Sequence, residues 1–340
     1  MIWRMIAALL LSLGIALGMG PWLIRRLKKL HFGTVIYELG PAHQQKQGTP
    51  VMGGLMIAAG VAVSMLLLHP WPWTGLWDPA LGLLAVSLLS MAVGFADDWI
   101  KAVQKRHEGL TPWQKIAGQV VAAAGFACWC YFNPQIGSSI SVPFLHREWE
   151  LGIWYLPLMT LTVIFYVNST NLQDGLDGLL GTITTVSSGA WTMVVLFGVY
   201  ALNGDAGFAA PAGIFAVSLM GGCVGYLRYN RYPARVFMGD TGSMFIGGAT
   251  VGLAMILRQP LLLILIGICP LISSFSVILQ RYYFKLTRRF SQDHQGRRLF
   301  RMSPVHHHFE KKGYTETQIV SMYAGVTAVA GMIAVLSLLG

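Results

Sequence analysis

The sequence predicts an all-α polytopic membrane protein with about ten transmembrane helices, polar loops on the cytoplasmic side and a small periplasmic hairpin. Of the 340 residues, 54% are hydrophobic and only 11% are charged, whereas soluble domains carry about a quarter charged residues. Apolar runs of near-membrane length recur along the chain, and Lys and Arg sort to alternate loops. Because each membrane helix needs neighbours to pack against, we expect residues 1–340 to form one domain.

Ten apolar runs approach the roughly 20 residues that a helix needs to cross the hydrocarbon core. The first run is predicted to be retained, because four basic residues from Arg25 to Lys29 follow it where a signal peptide would have a small-residue cleavage site. The predicted spans cover residues 2–24, 51–69, 79–96, 113–132, 152–170, 179–201, 209–227, 242–257, 260–282 and 319–339.

The loops after odd-numbered spans contain 21 of the 24 Lys and Arg residues. The positive-inside rule therefore places these loops in the cytoplasm and both termini outside. Ten of the 14 carboxylates lie in the same loops. The net charge of +10 thus reports topology and contact with anionic membrane lipids, and we expect no nucleic-acid partner.

Two outer loops favour structural roles. Residues 69–78, HPWPWTGLWD, contain three tryptophans, which suit the headgroup interface. The stretch SISVPFLHREWELG from Ser139 alternates apolar and polar residues, with Pro143 suited to an edge position. This pattern predicts the small hairpin.

The first polar cluster, FADDWIK, lies where the third span ends. Asp97 and Asp98 point about 100° apart on a helix, and Lys101 follows one turn later, facing both carboxylates. Paired carboxylates can hold a metal or accept a proton in phosphoryl-transfer sites. A solvated helix end is the structural alternative.

The second cluster, NSTNLQDGLDGL, places four polar side chains at three-residue spacing: Asn168, Asn171, Asp174 and Asp177. A regular α-helix would spread this stripe about 180° around its axis. The helix must therefore tighten, break or turn to aim all four at one pocket, which Gly175 and Gly178 permit. A simple capping turn is the alternative.

Two further clusters lie before the eighth and tenth spans. RYNRYPARVFMGDTGS combines Asn230, Phe237 and Asp240 with three arginines, and helix amides beside Asp240 could share a metal–phosphate group. In SPVHHHFEKKG, three successive histidines, 306 to 308, diverge on a helix and favour phosphate or proton handling. A zinc or copper site is the alternative.

These polar segments, far apart in sequence, are all predicted to face the cytoplasm. A fifth, HQQKQGTPVMGG from His43 to Gly54, adds a lone lysine and a turn. Their shared side predicts one pocket for an anionic substrate. No carboxylate lies at the centre of a span, which argues against a proton-coupled transporter.

The chain resembles the membrane-bound polyprenyl-phosphate N-acetylhexosamine-1-phosphate transferases, and within them the phospho-N-acetylmuramoyl-pentapeptide transferase family. The resemblance covers nearly the whole chain. Mild departures from the family pattern fall at Val51, Gln173 and Val305, and none removes a charged group. The matching segments, in family order, are KQGTPVMGG, GFADDWIK, EGLTPWQK, NLQDGLDGL, VFMGDTGS and SPVHHHFEKKGYTE.

The resemblance implies a Mg²⁺-dependent enzyme of peptidoglycan biosynthesis with catalytic loops at the cytoplasmic face of the bacterial inner membrane. A member of this family transfers phospho-N-acetylmuramoyl-pentapeptide from its UDP nucleotide to undecaprenyl phosphate, forming lipid I and releasing UMP. The nearest rival is a sister enzyme that transfers GlcNAc-1-phosphate to the same lipid, and the histidine segment favours the muramoyl branch. A lipid-binding scaffold without enzymatic activity is a further alternative for the function. The sequence also allows a homodimer.

The resemblance also implies roles for individual residues. Asp240 binds Mg²⁺, while Asp97 and Asp98 are essential carboxylates. In a single displacement Asp97 deprotonates or positions the lipid phosphate; in a double displacement a carboxylate forms a covalent intermediate. His306, His307 and His308 face the pyrophosphate and sugar. Nucleotide contacts fall to Lys46, Gly175, Leu176, Asp177, Asn230 and Phe237, and further substrate contacts are predicted for Lys101, Lys115, Asn168, Asn171, Asp174 and Gln280.

Overall fold

The computed structural model describes residues 1–30, 48–70, 72–73, 75–104, 108–201, 206–291 and 295–338. Short 3-10 turns precede α3, α5 and α9 as labelled below, and a π-helical segment, Val194–Ala201, extends α6. In chain order the helices and strands are α1 (Ile2–Lys29), α2 (Leu55–Leu68), α3 (Pro79–Gln104), α4 (Pro112–Phe132), β1 (Ser139–Val142), β2 (Arg147–Glu150), α5 (Tyr155–Gln173), α6 (Leu179–Met193), α7 (Ala206–Asn230), α8 (Gly239–Ile256), α9 (Leu263–Ile266), α10 (Ile268–Phe290), α11 (Val305–Glu310) and α12 (Glu316–Leu336).

The all-α polytopic membrane architecture is confirmed, and each of the ten predicted spans coincides with a helix or a pair of helices. Seven helices in the described ranges are long and apolar enough to cross a membrane. The segment Pro260–Ile266 and α10 would form an eighth crossing, bent by 83°. With 14 residues, α2 is apolar but short, so ten crossings remain a prediction.

Two of the helices begin at capping boxes that the sequence encodes locally. The Thr111 hydroxyl accepts the N–H of Gln114, and the Thr111 N–H donates to the side-chain carbonyl of Gln114. This reciprocal pair starts α4 at Pro112. Thr315 and Gln318 make the same reciprocal pair at the start of α12. Both caps satisfy amides that would otherwise be unpaired at a helix N-terminus.

Helix α8 lies at the centre of the bundle. Every residue from Thr241 to Ile256 is buried, as expected for a helix that is apolar on all sides. It packs most extensively against α3 and α5. The first turn of α8 therefore brings Asp240 close to the ends of both neighbouring helices.

The predicted hairpin is present at the other end of α8. Strands β1 and β2 pair antiparallel with Ser139 opposite Glu150 and Val142 opposite Arg147. Directly after α8, the Arg258 carbonyl accepts the N–H of Ser141 at 2.8 Å. Because the 18 residues of α8 rise about 27 Å, the hairpin and Asp240 lie at opposite ends of the bundle. The periplasmic location of the hairpin remains a prediction.

Candidate active site

Three carboxylates meet where the end of α3 packs against the start of α8. Asp97 and Asp98 are buried near the end of α3, and Asp240 lies in the first turn of α8. One oxygen from each carboxylate lies within 4.8 Å of the other two. Gly94 permits this approach, since a Cβ there would lie 2.2 Å from the Asp240 carbonyl oxygen. The first and third polar clusters of the sequence therefore form one acidic site.

Asp98 caps the N-terminus of α8. Its Oδ1 accepts the N–H of Asp240 at 3.2 Å, and its Oδ2 accepts both the N–H and the hydroxyl of Thr241 at 2.9 and 2.6 Å. A carboxylate at this position satisfies otherwise unpaired amides and interacts favourably with the helix dipole. Gly239, with φ of 75°, turns the chain into the helix. Asp98 thereby fixes the backbone that carries Asp240.

Two lysines neutralise part of the acidic site. The Nζ atom of Lys101 lies 2.5 Å from Asp97 Oδ2 and 3.3 Å from Asp240 Oδ2. The Nζ atom of Lys115 lies 2.7 Å from the same Asp240 oxygen. The other oxygen of Asp97 accepts the N–H of Leu110 at 2.9 Å. With all five side chains ionised, the site formally keeps one negative charge.

The asparagines of α5 have separate partners. Asn171 donates to Asp240 Oδ1 at 2.7 Å and to the Ser243 hydroxyl at 2.9 Å, so it belongs to the acidic site. Asn168 exchanges side-chain hydrogen bonds with Gln119 of α4, at 2.7 and 3.3 Å. Asn168 therefore holds α4 against α5, one helical turn before Asn171, which contacts Asp240.

The chain breaks between α5 and α6, as the glycines of the second cluster predict. Helix α5 ends at Gln173, and α6 begins at Leu179 after Gly178, which has φ of 76°. We call residues 174–178 the acidic turn. Burial, together with the nearby carboxylates of Asp240, Asp98 and Asp177, raises the pKa of Asp174 to about 8. The acidic turn therefore lies within electrostatic reach of Asp240 and Asp98 in the acidic site.

The far side of the acidic turn is anchored to protein groups. Asp177 accepts the N–H of Ala234 at 2.9 Å, and its own N–H donates to Glu316 of α12 at 2.8 Å. Asn230 accepts the N–H of Gly178 at 3.0 Å and donates to the Val236 carbonyl at 2.9 Å. The carboxylate of Asp177 and the amide of Asn230 thus support the turn, and Leu176 lies in the core.

Phe237 connects this region to the described end of the fifth polar segment. Its N–H donates to the Pro50 carbonyl and its carbonyl accepts the N–H of Gly53, both at 2.8 Å. The ring is only partly buried. Lys46, the predicted nucleotide contact in this segment, lies outside the described residues.

The three histidines lie on α11 and face different partners, as their divergence on a helix predicts. His306 is fully buried, and burial lowers its pKa to about 3, with a smaller effect from His307, so its ring is neutral. The Nδ1 of His307 lies 2.9 Å from Glu310. The Nδ1 of His308 accepts the N–H of Arg301 at 3.0 Å. Within the described ranges, the acidic site is the one cluster of three or more potential metal ligands, and the histidines do not form another.

Gly175 is the contact between the histidines and the acidic turn. A Cβ at this position would lie 2.3 Å from His306 Nε2 and 3.1 Å from His307 Nε2. The absence of a side chain therefore lets two imidazoles pack on the backbone of the turn. The second and fourth polar clusters thus adjoin one another.

The comparisons with known proteins decide the family. The model of glycosyl transferase family 4 matches residues 80–258, more than half of the chain. Relatives named phospho-N-acetylmuramoyl-pentapeptide-transferase are 38% identical in Heliobacterium modesticaldum, over 98% of this chain and 97% of the relative, and 39% identical in Clostridium perfringens strain 13, over 98% and 99%. The relative in Caldanaerobacter subterraneus is 38% identical over 99% of this chain and its full length. The chain belongs to the phospho-N-acetylmuramoyl-pentapeptide-transferase family.

The family model covers the middle of this transferase, and the relatives cover nearly all of it. The glycosyl transferase family 4 match contains the acidic site, the acidic turn and Asn230. The histidine helix α11 lies beyond residue 258 and is covered by the similarity to the full-length relatives. The relatives named above therefore favour the muramoyl branch over the GlcNAc-1-phosphate enzyme, and none of them is a transporter.

Sequence reasoning missed several residues that build the transferase site. Gln119 is a single polar residue in an apolar run, which carries no periodic signal, and Ser243 stands at the end of the third cluster without a role of its own. Glu310 and Glu316 are among the ten carboxylates of the predicted cytoplasmic loops, where the sequence gives them no role, although Glu310 follows His307 by three residues, the spacing of side chains on one helix face. In the sequence, Gly94 stands out only as the first residue of the GFADDWIK segment. Its function depends on a contact with α8 that is distant in sequence.

Proposed function

We propose that this enzyme transfers phospho-N-acetylmuramoyl-pentapeptide from its UDP nucleotide to undecaprenyl phosphate at the cytoplasmic face of a bacterial inner membrane, forming lipid I and releasing UMP. One observation carries the proposal: three carboxylates, two lysines and Asn171 converge at one end of a membrane helix bundle. A lipid phosphate reaches this depth while its tail stays in the bilayer. A water-soluble nucleotide sugar can reach the same place, so one interfacial pocket serves both substrates.

The acidic site has the donor set that Mg²⁺ requires. Mg²⁺ prefers carboxylate oxygens and binds through one or two of them together with substrate phosphates. Asp240 would hold the ion together with Asp97. The Asp98 oxygens are fixed on the start of α8, whereas Asp240 and Oδ2 of Asp97 face lysine side chains, which can move from the carboxylates to substrate phosphates. When bound, Mg²⁺ neutralises the charge of the pyrophosphate. The formal excess of one negative charge at the site favours a divalent cation.

We expect Asp97 and the two lysines to carry out the transfer in one displacement. Asp97 is held by Leu110 and Lys101, so it can orient the lipid phosphate or accept its proton. A lipid phosphate oxygen then forms a bond to the β-phosphorus, the bond to the bridging oxygen breaks, and UMP leaves with the electron pair. Lys101 and Lys115 stabilise the charge that develops on the phosphoryl oxygens. The double displacement would need Asp97 as nucleophile.

The remaining residues divide into contacts and supports. His307, whose Nδ1 faces Glu310, can present its Nε2 to the pyrophosphate or the sugar. The partly buried ring of Phe237 suits stacking on uracil. Asn230 and Asp177 act on the nucleotide mainly by holding the acidic turn, since their side chains already bind backbone groups. Lys46 keeps its predicted substrate role. The side-chain carbonyl of Gln280 accepts two backbone N–H groups, so Gln280 would contact substrate only through its amide nitrogen.

A transferase assay with defined substrates tests this function. The purified enzyme in lipid nanodiscs, supplied with undecaprenyl phosphate and Mg²⁺, is expected to convert the UDP-muramoyl-pentapeptide to lipid I and UMP. Parallel reactions receive UDP-GlcNAc or lack Mg²⁺. Product from UDP-GlcNAc alone would assign the chain to the sister reaction, and full turnover in the presence of a chelator would exclude the metal.

A further inference from the structure

Helix α10 carries a stripe of polar side chains that contacts both the residue before the acidic turn and the segment that leads into the histidines. Ser273, Ser276 and Gln280 lie at positions i, i+3 and i+7, which share one face of a helix. The Ser273 hydroxyl donates to the side-chain carbonyl of Gln173 at 2.5 Å. Gln173 is the last residue of α5 and immediately precedes the acidic turn.

The other two side chains of the stripe hold the chain that leads into the histidines. The Ser276 hydroxyl donates to the Ser273 carbonyl at 2.6 Å and accepts the N–H of Val305 at 3.0 Å. The side-chain carbonyl of Gln280 accepts the N–H groups of Leu299 and Phe300 at 3.1 and 2.8 Å. The stripe therefore binds the segment 299–305 at both ends.

The histidine helix depends on such anchors because it is short. Helix α11 has six residues, and isolated helices shorter than about 12 residues are marginal in water. Val305 is its first residue, and the first amides of a helix have no partner inside it. No side chain at the N-cap, Pro304, satisfies them. The hydroxyl of Ser276 supplies a partner from a rigid neighbouring helix.

We propose that Ser276 is a positioning residue for the transfer reaction: it fixes the start of α11 so that His306 and His307 stay packed on Gly175 of the acidic turn. The proposal rests on the proposed function. Ser276 is buried and acts through α11 without touching substrate. The histidines are proposed to act on the pyrophosphate, whose charge changes in the transition state, whereas Phe237 is proposed to hold the uracil. Losing the Ser276 hydroxyl should therefore reduce turnover more than nucleotide affinity.

Ser274 provides a matched control on the same helix. It is as buried as Ser276, and its hydroxyl donates to the hydroxyl of Ser169 at 2.8 Å. This bond ties α10 to α5 without reaching the histidine segment. Ser274→Ala therefore removes an equal volume and one buried hydrogen bond between elements, the counterpart of the Ser276–Val305 bond, and its effect measures the general cost of such a change.

The test compares Ser276→Ala, Ser276→Thr and Ser274→Ala in the full-length enzyme in nanodiscs. One readout is amide hydrogen exchange of residues 305–310; the others are kcat and the KM for the UDP-muramoyl-pentapeptide. For Ser276→Ala we expect exchange to accelerate and kcat to fall about five- to tenfold, the effect of one hydrogen bond, with KM within about twofold. Ser276→Thr should restore both readouts, and Ser274→Ala should change neither by more than about twofold.

Three results would overturn the positioning role. Exchange of residues 305–310 could be unchanged in Ser276→Ala, the loss could appear only in KM, or Ser274→Ala could lower kcat equally. If the wild-type enzyme made no lipid I, the proposed function would fail. The exchange comparison between the two alanine variants would still decide whether Ser276 anchors α11.

Discussion

Replacing Asp98 by asparagine separates the positioning of Asp240 from direct participation in chemistry. The substitution keeps the size of the side chain and changes one carboxylate oxygen into an amide donor. In the wild-type site both oxygens accept hydrogen bonds from the start of α8. Whichever way the new amide turns, a donor faces a donor.

The structure indicates which hydrogen bond is lost. With the amide oxygen at the Oδ2 position, the bonds from the N–H and hydroxyl of Thr241 at 2.9 and 2.6 Å are retained, and the bond from the Asp240 N–H at 3.2 Å is lost. A hydrogen bond to a charged group contributes about 1.5–3 kcal/mol, and a charge at a helix N-terminus contributes about 0.3–1 kcal/mol. The expected destabilisation is therefore about 2–4 kcal/mol, less the repulsion from Asp97 and Asp240 that the substitution relieves.

Turnover should fall as well, because the lost bond holds the backbone of Asp240. A displacement of about 1 Å at a reacting group can cost on the order of 10²-fold in rate. Asp240→Asn is the matched comparison: it should abolish turnover and also lower stability, since Lys101 and Lys115 would lose the carboxylate that they pair with. Thermal unfolding in nanodiscs and the lipid I assay measure both effects. If Asp98→Asn had wild-type stability and no turnover, Asp98 would act in the chemistry itself, and its assignment as a helix cap would be wrong.

Three further outcomes follow from the same contacts. Gly175→Ala should lower turnover about 10²-fold or more, since the new methyl would lie 2.3 Å from His306 Nε2 and displace the ring. Steady-state kinetics measure this loss, and wild-type turnover would contradict the packing of His306 on Gly175. Asp174, whose pKa is raised from 3.8 to about 8, holds its proton better in the folded state, so without Mg²⁺ the free energy of unfolding should fall as pH rises from about 4 through 8. The melting temperature of Asp174→Asn should depend less on pH than that of the wild type. Identical pH profiles of the two proteins would count against the pKa shift. In a single displacement, labelled UMP should not exchange into the UDP substrate without undecaprenyl phosphate, and exchange under those conditions would establish a covalent intermediate.

Helix positions could be predicted because a bilayer limits what can cross it. Every unpaired backbone group is costly in hydrocarbon, so each apolar run of sufficient length becomes a helix. The exception in shape is the run 260–282, which the sequence presents as one span. The structure breaks it at Gly267 and bends it by 83°. Hydropathy indicates whether a segment lies in lipid or in water. It carries no information on the direction of the helix axis, so the bend could not be predicted.

Residue chemistry predicted the components of the site better than their roles. Asp97, Asp98, Asp240 and the histidines were identified because charged or titratable groups beside a membrane span need a reason to be there. The amides of Asn168 and Asn230 have the same polar character, yet both bind protein groups. A polar residue that contacts substrate and one that braces the pocket look alike in sequence. Only the packing of distant helices separates them.

The two adjacent aspartates show why that packing decides function. Asp97 and Asp98 are indistinguishable by type and neighbourhood in the chain, and either could be the catalytic group. The contact of Gly94 with the Asp240 carbonyl sets how α3 lies against α8. In that orientation Asp98 meets the amides of Asp240 and Thr241, and Asp97 turns towards Lys101 and Leu110. A glycine one turn earlier thus directs one carboxylate to the start of α8 and leaves the other facing Lys101, where the proposed function needs it.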